Sequence, residues 1–172
     1  MESNKKKRIN TKIGDVFCAE IDKKSKRFFQ LIAYDKIQLN SDVIRVFTKI
    51  YSVNQEPDLS EIISDNVEFY VHCATKIGLK LDLWKKVGNI SNIGSIDKIL
   101  FRSTNDYGTK HGGVPLKVSH NWHVWRINDR DFTKVGKLTD EYKKSFIGLV
   151  VNPLGIMKML KGEKYPINYP DF

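Results

Sequence analysis

Four histidines, at positions 72, 111, 120 and 123, and two cysteines, Cys18 and Cys73, are the side chains whose chemistry would matter most if they converged. The segment VSHNWHVWRINDRDF, residues 118–132, concentrates two of those histidines with two tryptophans. A helix would bring His120 and His123, three residues apart, to one face, where they could begin a metal site. The aromatic and β-branched neighbours instead predict a strand over NWHVWRI, 121–127. On a regular strand His120 falls with Trp122 and Val124, and His123 falls on the other face with Trp125 and Ile127. Two rings on opposite faces cannot share one ion unless a bulge re-aims them.

The other spacings supply no reaction centre either. A zinc hydrolase needs three or four converging ligands, and the chain has no HxH, no HExxH and no dense cluster of histidines and carboxylates. There is no CxxC pair. Cys18 and Cys73 sit inside apolar segments, which suits small core residues and not activated thiols. No G-x-S-x-G elbow is present, and the glycines of GTKHGG lack the spacing and the Lys-Ser/Thr ending of a phosphate loop. The expectation is a protein with no cofactor, no metal and no catalytic residues.

What positions these residues is a set of strands. GDVFCAEI (14–21), KRFFQLIAY (26–34), DVIRVFTKIY (42–51), VEFYVHCA (67–74), DKILFRS (97–103), NWHVWRI (121–127) and SFIGLVV (145–151) are short, rich in aromatic and β-branched residues, and bounded by turn formers. Two helices are expected. PDLSEIISD (57–65) opens on a proline tolerated in a first turn, and NPLGIMKMLKG (152–162) has Asn152 as N-cap, Pro153 in the first turn and Gly162 to end it. KIGLKLDLWKKVG (76–88) satisfies a period of two as well as one of 3.6, so its state is left open. The predicted fold class is mainly β, α+β at the margin: an antiparallel, strongly twisted sheet or partly open barrel with two or three short covering helices.

The chain has 172 residues, enough for one domain with its own core, read as a basic disordered tail over 1–12 followed by a single β-rich domain over 13–172. Apolar runs stay far below the ~20 residues of a membrane helix, and the basic start is not followed by an apolar signal stretch, so no membrane is expected and the location predicted is cytoplasmic. Net charge is +9, of which the tail supplies five basic residues against one acid. The rest is scattered in pairs such as Lys23–Lys24, Lys85–Lys86 and Lys143–Lys144, a solvated surface and not the basic track that nucleic acid requires.

IGDVFCAEI, the following RFFQLIAY, the strand QLNSDVIRVF and the closing GEKYPINYPDF together carry a likeness. They resemble the immunity protein 26 family of bacterial polymorphic toxin systems, a grouping that also takes in a small phosphotriesterase-like protein. The matching positions are Gly14, Asp15, Val16 and Phe17 in the opening strand and Phe29 and Gln30 in the next; the segment 53–115 is individual to this chain. The resemblance implies a mainly β cytoplasmic antidote whose partner is a cognate toxin domain, with no catalytic residues to transfer. Such an antidote works by covering a toxin surface, for which about 1,600 Å² of buried area with aromatic and arginine anchors is usual. The residues expected to contact the partner are Trp84, Asp106, Tyr107, His111, His120, Trp122 and Arg126, several of them in or beside the glycine-containing loop 103–117. Trp84 is also expected to serve as core, and alternation should bury one of Trp122 and Trp125. A metal-dependent phosphotriester hydrolase and a nucleic-acid-binding β-barrel are the alternative functions.

Overall fold

Alternating aromatic and β-branched residues give the N-terminal half four long strands: β1 (Asp15–Glu20), β2 (Ser25–Asp35), β3 (Ser41–Phe47) and, after the two-residue β4 (Tyr51–Ser52) and helix α1 (Leu59–Ser64), β5 (Val67–Cys73). Helix α2 (Thr75–Lys80) and β6 (Lys85–Asn89) follow. The second half contributes β7 (Leu100–Thr104), β8 (Trp122–Arg126), β9 (Thr133–Gly136), the short β10 (Phe146–Ile147) and β11 (Val150–Val151), and α3 (Pro153–Leu160). The computed structural model describes residues 9–107, 114–165, 167 and 169–172.

These strands form two sheets. A seven-stranded sheet runs β11-β5-β3-β2-β1-β6, with β4 paired to β2, and a four-stranded sheet runs β10-β7-β8-β9. The protein is mainly β; among the described residues there are three short α-helices, and neither sheet closes into a barrel. Pairing is antiparallel apart from β10 on β7 and β11 on β5, which are parallel. Segment 145–151, expected as one strand, is split between the two sheets. Segment 42–51 likewise breaks after Phe47, and its end returns as β4 along β2. The ambiguous 76–88 stretch is half helix and half strand.

The large sheet is buried on both faces. One face carries Phe17, Phe29, Leu31, Ile44, Val46 and Val71 beneath α2, α3 and Trp84. The opposite face is divided: Val16, Phe28, Phe47 and Tyr51 pack under Ile62 of α1, while Ile32, Ala33 and Val43 pack against Phe101 and Trp125 of the small sheet. Arg27, buried on β2, donates to Leu160 O at 3.2 Å near the C-terminal end of α3, where a cation suits the helix dipole, and pairs with Glu68 of β5. Asn152 caps α3 by accepting from Gly155 N at 2.8 Å. At the other end of the chain, Thr11 O accepts from Tyr34 Oη at 3.0 Å and Lys12 N donates to Asp15 at 2.9 Å, so these two tail residues are joined to the domain. No helix among the described residues is long and apolar enough to cross a membrane.

Candidate functional site

The small sheet obeys strand alternation. Phe101 and Trp125 point at the large sheet, while Leu100, Arg102, Trp122 and Val124 lie on the outer face. The only register shift on β8, between Trp122 and His123, comes from an extra residue on β9, so β8 itself stays regular against β7. His123 therefore stacks beside Trp125 and packs on Phe132, whereas His120 precedes the strand and is exposed.

Around Trp122 and Val124 the outer face is covered, by Leu138 and Tyr142 and by C-terminal residues that lie across it. Val118 and Asp171 form a parallel bridge, Ser119 N donates to Asp171 O at 2.9 Å, and Asp171 N donates to Lys117 O at 2.8 Å. Tyr169 is fixed by donating to Ser103 Oγ at 3.0 Å and accepting from Thr104 N at 3.3 Å. Its ring lies 5.7 Å from Trp122 and stacks at 5.8 Å on Tyr107.

That covering takes Trp122, one of the expected contact residues, out of solvent, and the core of the large sheet does the same to Trp84. Trp122 is 1% exposed, with its indole donating to Ser119 O at 2.7 Å, and Trp125 is equally buried. Alternation over a one-sided sheet would expose one of them; a sheet covered on both sides exposes neither. Trp84 is 2% exposed, donates to Thr75 O at 3.0 Å and lies edge-on to Phe29 at 5.2 Å, the core role expected for it. Its ring occupies the space above Gly78, where an added Cβ would sit 1.8 Å from Cζ2. Neither tryptophan can anchor a partner without unfolding its surroundings.

Of the other expected residues, the fold gathers Asp106 and Tyr107 beside Trp122. Asp106 accepts from Ser119 Oγ at 2.8 Å and from Asn121 Nδ2 at 3.0 Å, bracing the two ends of the 103–117 loop against each other. Tyr107 is half-exposed on its tyrosine stack. Arg126 is exposed at the far end of β8, opposite Leu100, away from this cluster. His111 lies outside the described residues.

Sequence reading missed an apolar rim on the segment that leads into β8. Along 114–118 every second residue, Val114, Leu116 and Val118, is apolar and exposed, Val114 by 86%. Val118 is bridged to the residue before Phe172, itself exposed. The signal was available as the period-two pattern of VPLKV, masked by its proline and its place in a loop. Beside this rim a cleft of about 540 Å³ opens between the small sheet and the C-terminal residues, lined among others by Arg102, Lys164, Tyr165, Tyr169 and Phe172.

The remaining reactive groups stay apart. His72 is fully buried, with Nε2 2.9 Å from Asp35 Oδ2; a carboxylate oxygen can only accept, so Nε2 carries the proton. Burial alone would raise the Asp35 pKa, but donation from His72, Gln38 N and Trp125 outweighs it and holds the carboxyl low. Burial, aided by Lys134, lowers the His123 pKa. The Cys18 and Cys73 thiols are both pushed up by burial, the reverse of activation. Among the described residues no three His, Cys, Asp or Glu side chains are grouped to hold a metal ion. Compared with known protein families, curated proteins and solved structures, the chain matches none.

Proposed function

We propose that the chain is an immunity protein of a bacterial polymorphic toxin system, a cytoplasmic antidote that neutralises a cognate toxin domain by binding it. The observation that carries the reading is the set of exposed apolar side chains Val114, Leu116, Val118 and Phe172, with Val118 bridged to Asp171, together with the half-exposed Tyr107, whose neighbour Asp106 is held by Ser119. An aromatic side chain on an ordered support, such as Tyr107 stacked on Tyr169, suits a hot spot, since little ordering entropy is lost on contact. The likeness of the opening strands to the immunity protein 26 family points the same way. Lys117 is exposed between Leu116 and Val118 in the chain and the whole chain carries +9, which favours a partner with acidic groups.

A phosphotriesterase would need histidines that converge on solvent. His72 is enclosed between the sheets, His123 is packed among aromatic rings and His120 stands in solvent, so no observation favours that alternative. The test is coexpression with the toxin domain encoded beside this gene. The wild type should form a complex and protect growth, while Tyr107→Ala and Leu116→Asp should each weaken binding by about 2 kcal/mol or more with unchanged thermal stability. Full protection by both variants would overturn the rim as the binding surface, and stoichiometric zinc with turnover of a chromogenic phosphotriester would overturn the antidote reading itself.

A further inference from the structure

We propose that the cleft between the small sheet and the C-terminal residues is a binding site for a carboxylate carried on an apolar body, with Arg102 as its counter-charge. This site borders the exposed rim and shares Phe172 with it, but its test turns on Arg102 and small carboxylates, so either proposal can fail without the other. Arg102, on β7, lies beside two mutually perpendicular rings: its guanidinium carbon is 4.9 Å from the Phe172 ring and 5.8 Å from that of Trp122. Aromatic contact orients a guanidinium without using its N–H groups, which form forked hydrogen bonds to a carboxylate.

Those N–H groups have nothing to bond. The Arg102 side chain makes no hydrogen bond or ion pair with any described residue, and its Nε is buried without a partner. A second orphan lines the same cleft, since the hydroxyl of Tyr165 is also buried with no partner. Buried polar groups are almost always satisfied, so two unsatisfied ones around one cavity mark a place where a ligand belongs. Desolvation lowers the Arg102 pKa, in keeping with a cation lacking its counter-ion.

The lining selects the class of anion. Among the lining side chains Arg102 and Lys164 give two positive charges and Asp171 one negative, a modest positive balance that suits a monoanion better than a phosphate dianion. Ile147, Ile167 and Pro170 supply apolar wall for the body that carries it. A free organic acid and an acidic side chain of a bound protein share this chemistry.

The test is NMR titration of the full chain with benzoate, its neutral isostere benzamide, inorganic phosphate, and a short peptide, acetyl-Leu-Glu-Leu-amide, with its Gln twin, following the Trp122 indole N–H. Benzoate or the Glu peptide should bind saturably and about tenfold or more tighter than its neutral twin. Binding of benzoate assigns the site to free acids, and binding of the peptide alone assigns it to an acidic side chain. Arg102→Gln should abolish the preference while the thermal midpoint holds, and Arg102→Lys should restore only part of it because the fork is lost. Equal binding of acid and amide by the wild type, or phosphate bound more tightly than either carboxylate, would overturn the proposal even if the Arg102 variants failed to fold.

Discussion

Asp35 joins the two sheets through its carboxylate. It ends β2 in the large sheet, accepts from His72 of β5 at 2.9 Å, and reaches the small sheet through Trp125 Nε1 and Asn128 N, each at 3.3 Å. Both partners of the His72–Asp35 pair are fully buried, so the carboxylate is stable there only because donors surround it. Asp35→Asn keeps the shape and removes the charge, and should cost about 1–3 kcal/mol at pH 7. The pH dependence has a definite sign. Because the folded-state pKa is lowered, the charge stabilises the fold above the unfolded value of about 3.9 and that contribution is lost as pH falls through the lower folded value. Urea unfolding at pH 7, 5 and 3 should show wild type and Asp35→Asn separated at the first two and converging at the third. A gap that persists undiminished at pH 3 would mean that the carboxylate charge is not what stabilises the junction.

At the scale of elements, the crossing from β10 to β11 is where sequence pattern and structure part. SFIGLVV has the composition of one buried strand, yet Gly148 lets the chain leave the small sheet and enter the large one within two residues. Its amide donates to Arg102 O at 2.8 Å, and an added Cβ would lie 2.0 Å from Trp125 Cη2. Gly148→Ala should therefore lower stability by about 1–3 kcal/mol through overpacking, read as a lower urea midpoint with unchanged slope. An unaltered midpoint would show that the Trp125 ring can yield. Legibility follows the same line. Strands β1, β2, β3 and β5 and the Asn152-capped α3 could be read from residue type because local pattern dictates them. The burial of Trp122 could not, since it depends on Tyr169 crossing a sheet some 47 residues earlier in the chain, a contact with no local signature. The candidate site was legible only in outline: Tyr107 and Asp106 from their loop, but not Arg102, whose importance lies in the partners it lacks.

For the molecule as a whole, charge and contact surface divide the work of association in the proposed antidote. The net +9 acts at a distance, and residues 1–8, with four basic residues and one acid, contribute +3 of it. The apolar rim acts only on contact. If the cognate toxin domain presents acidic groups, the association rate should fall steeply as salt shortens the screening length from about 10 Å at 0.1 M to about 3 Å at 1 M, while the dissociation rate changes little. Removing residues 1–8 should flatten that salt dependence by about a third and leave the dissociation rate alone, because it alters the field and not the interface. Leu116→Asp should do the reverse, accelerating dissociation while the salt dependence of association is nearly preserved, since interface changes act mainly on the off-rate. Stopped-flow association at two ionic strengths, with dissociation followed by competition, separates the two effects. An association rate indifferent to salt would remove the acidic partner from the reading, and a Leu116→Asp complex that dissociates like the wild type would place the contact elsewhere on the molecule.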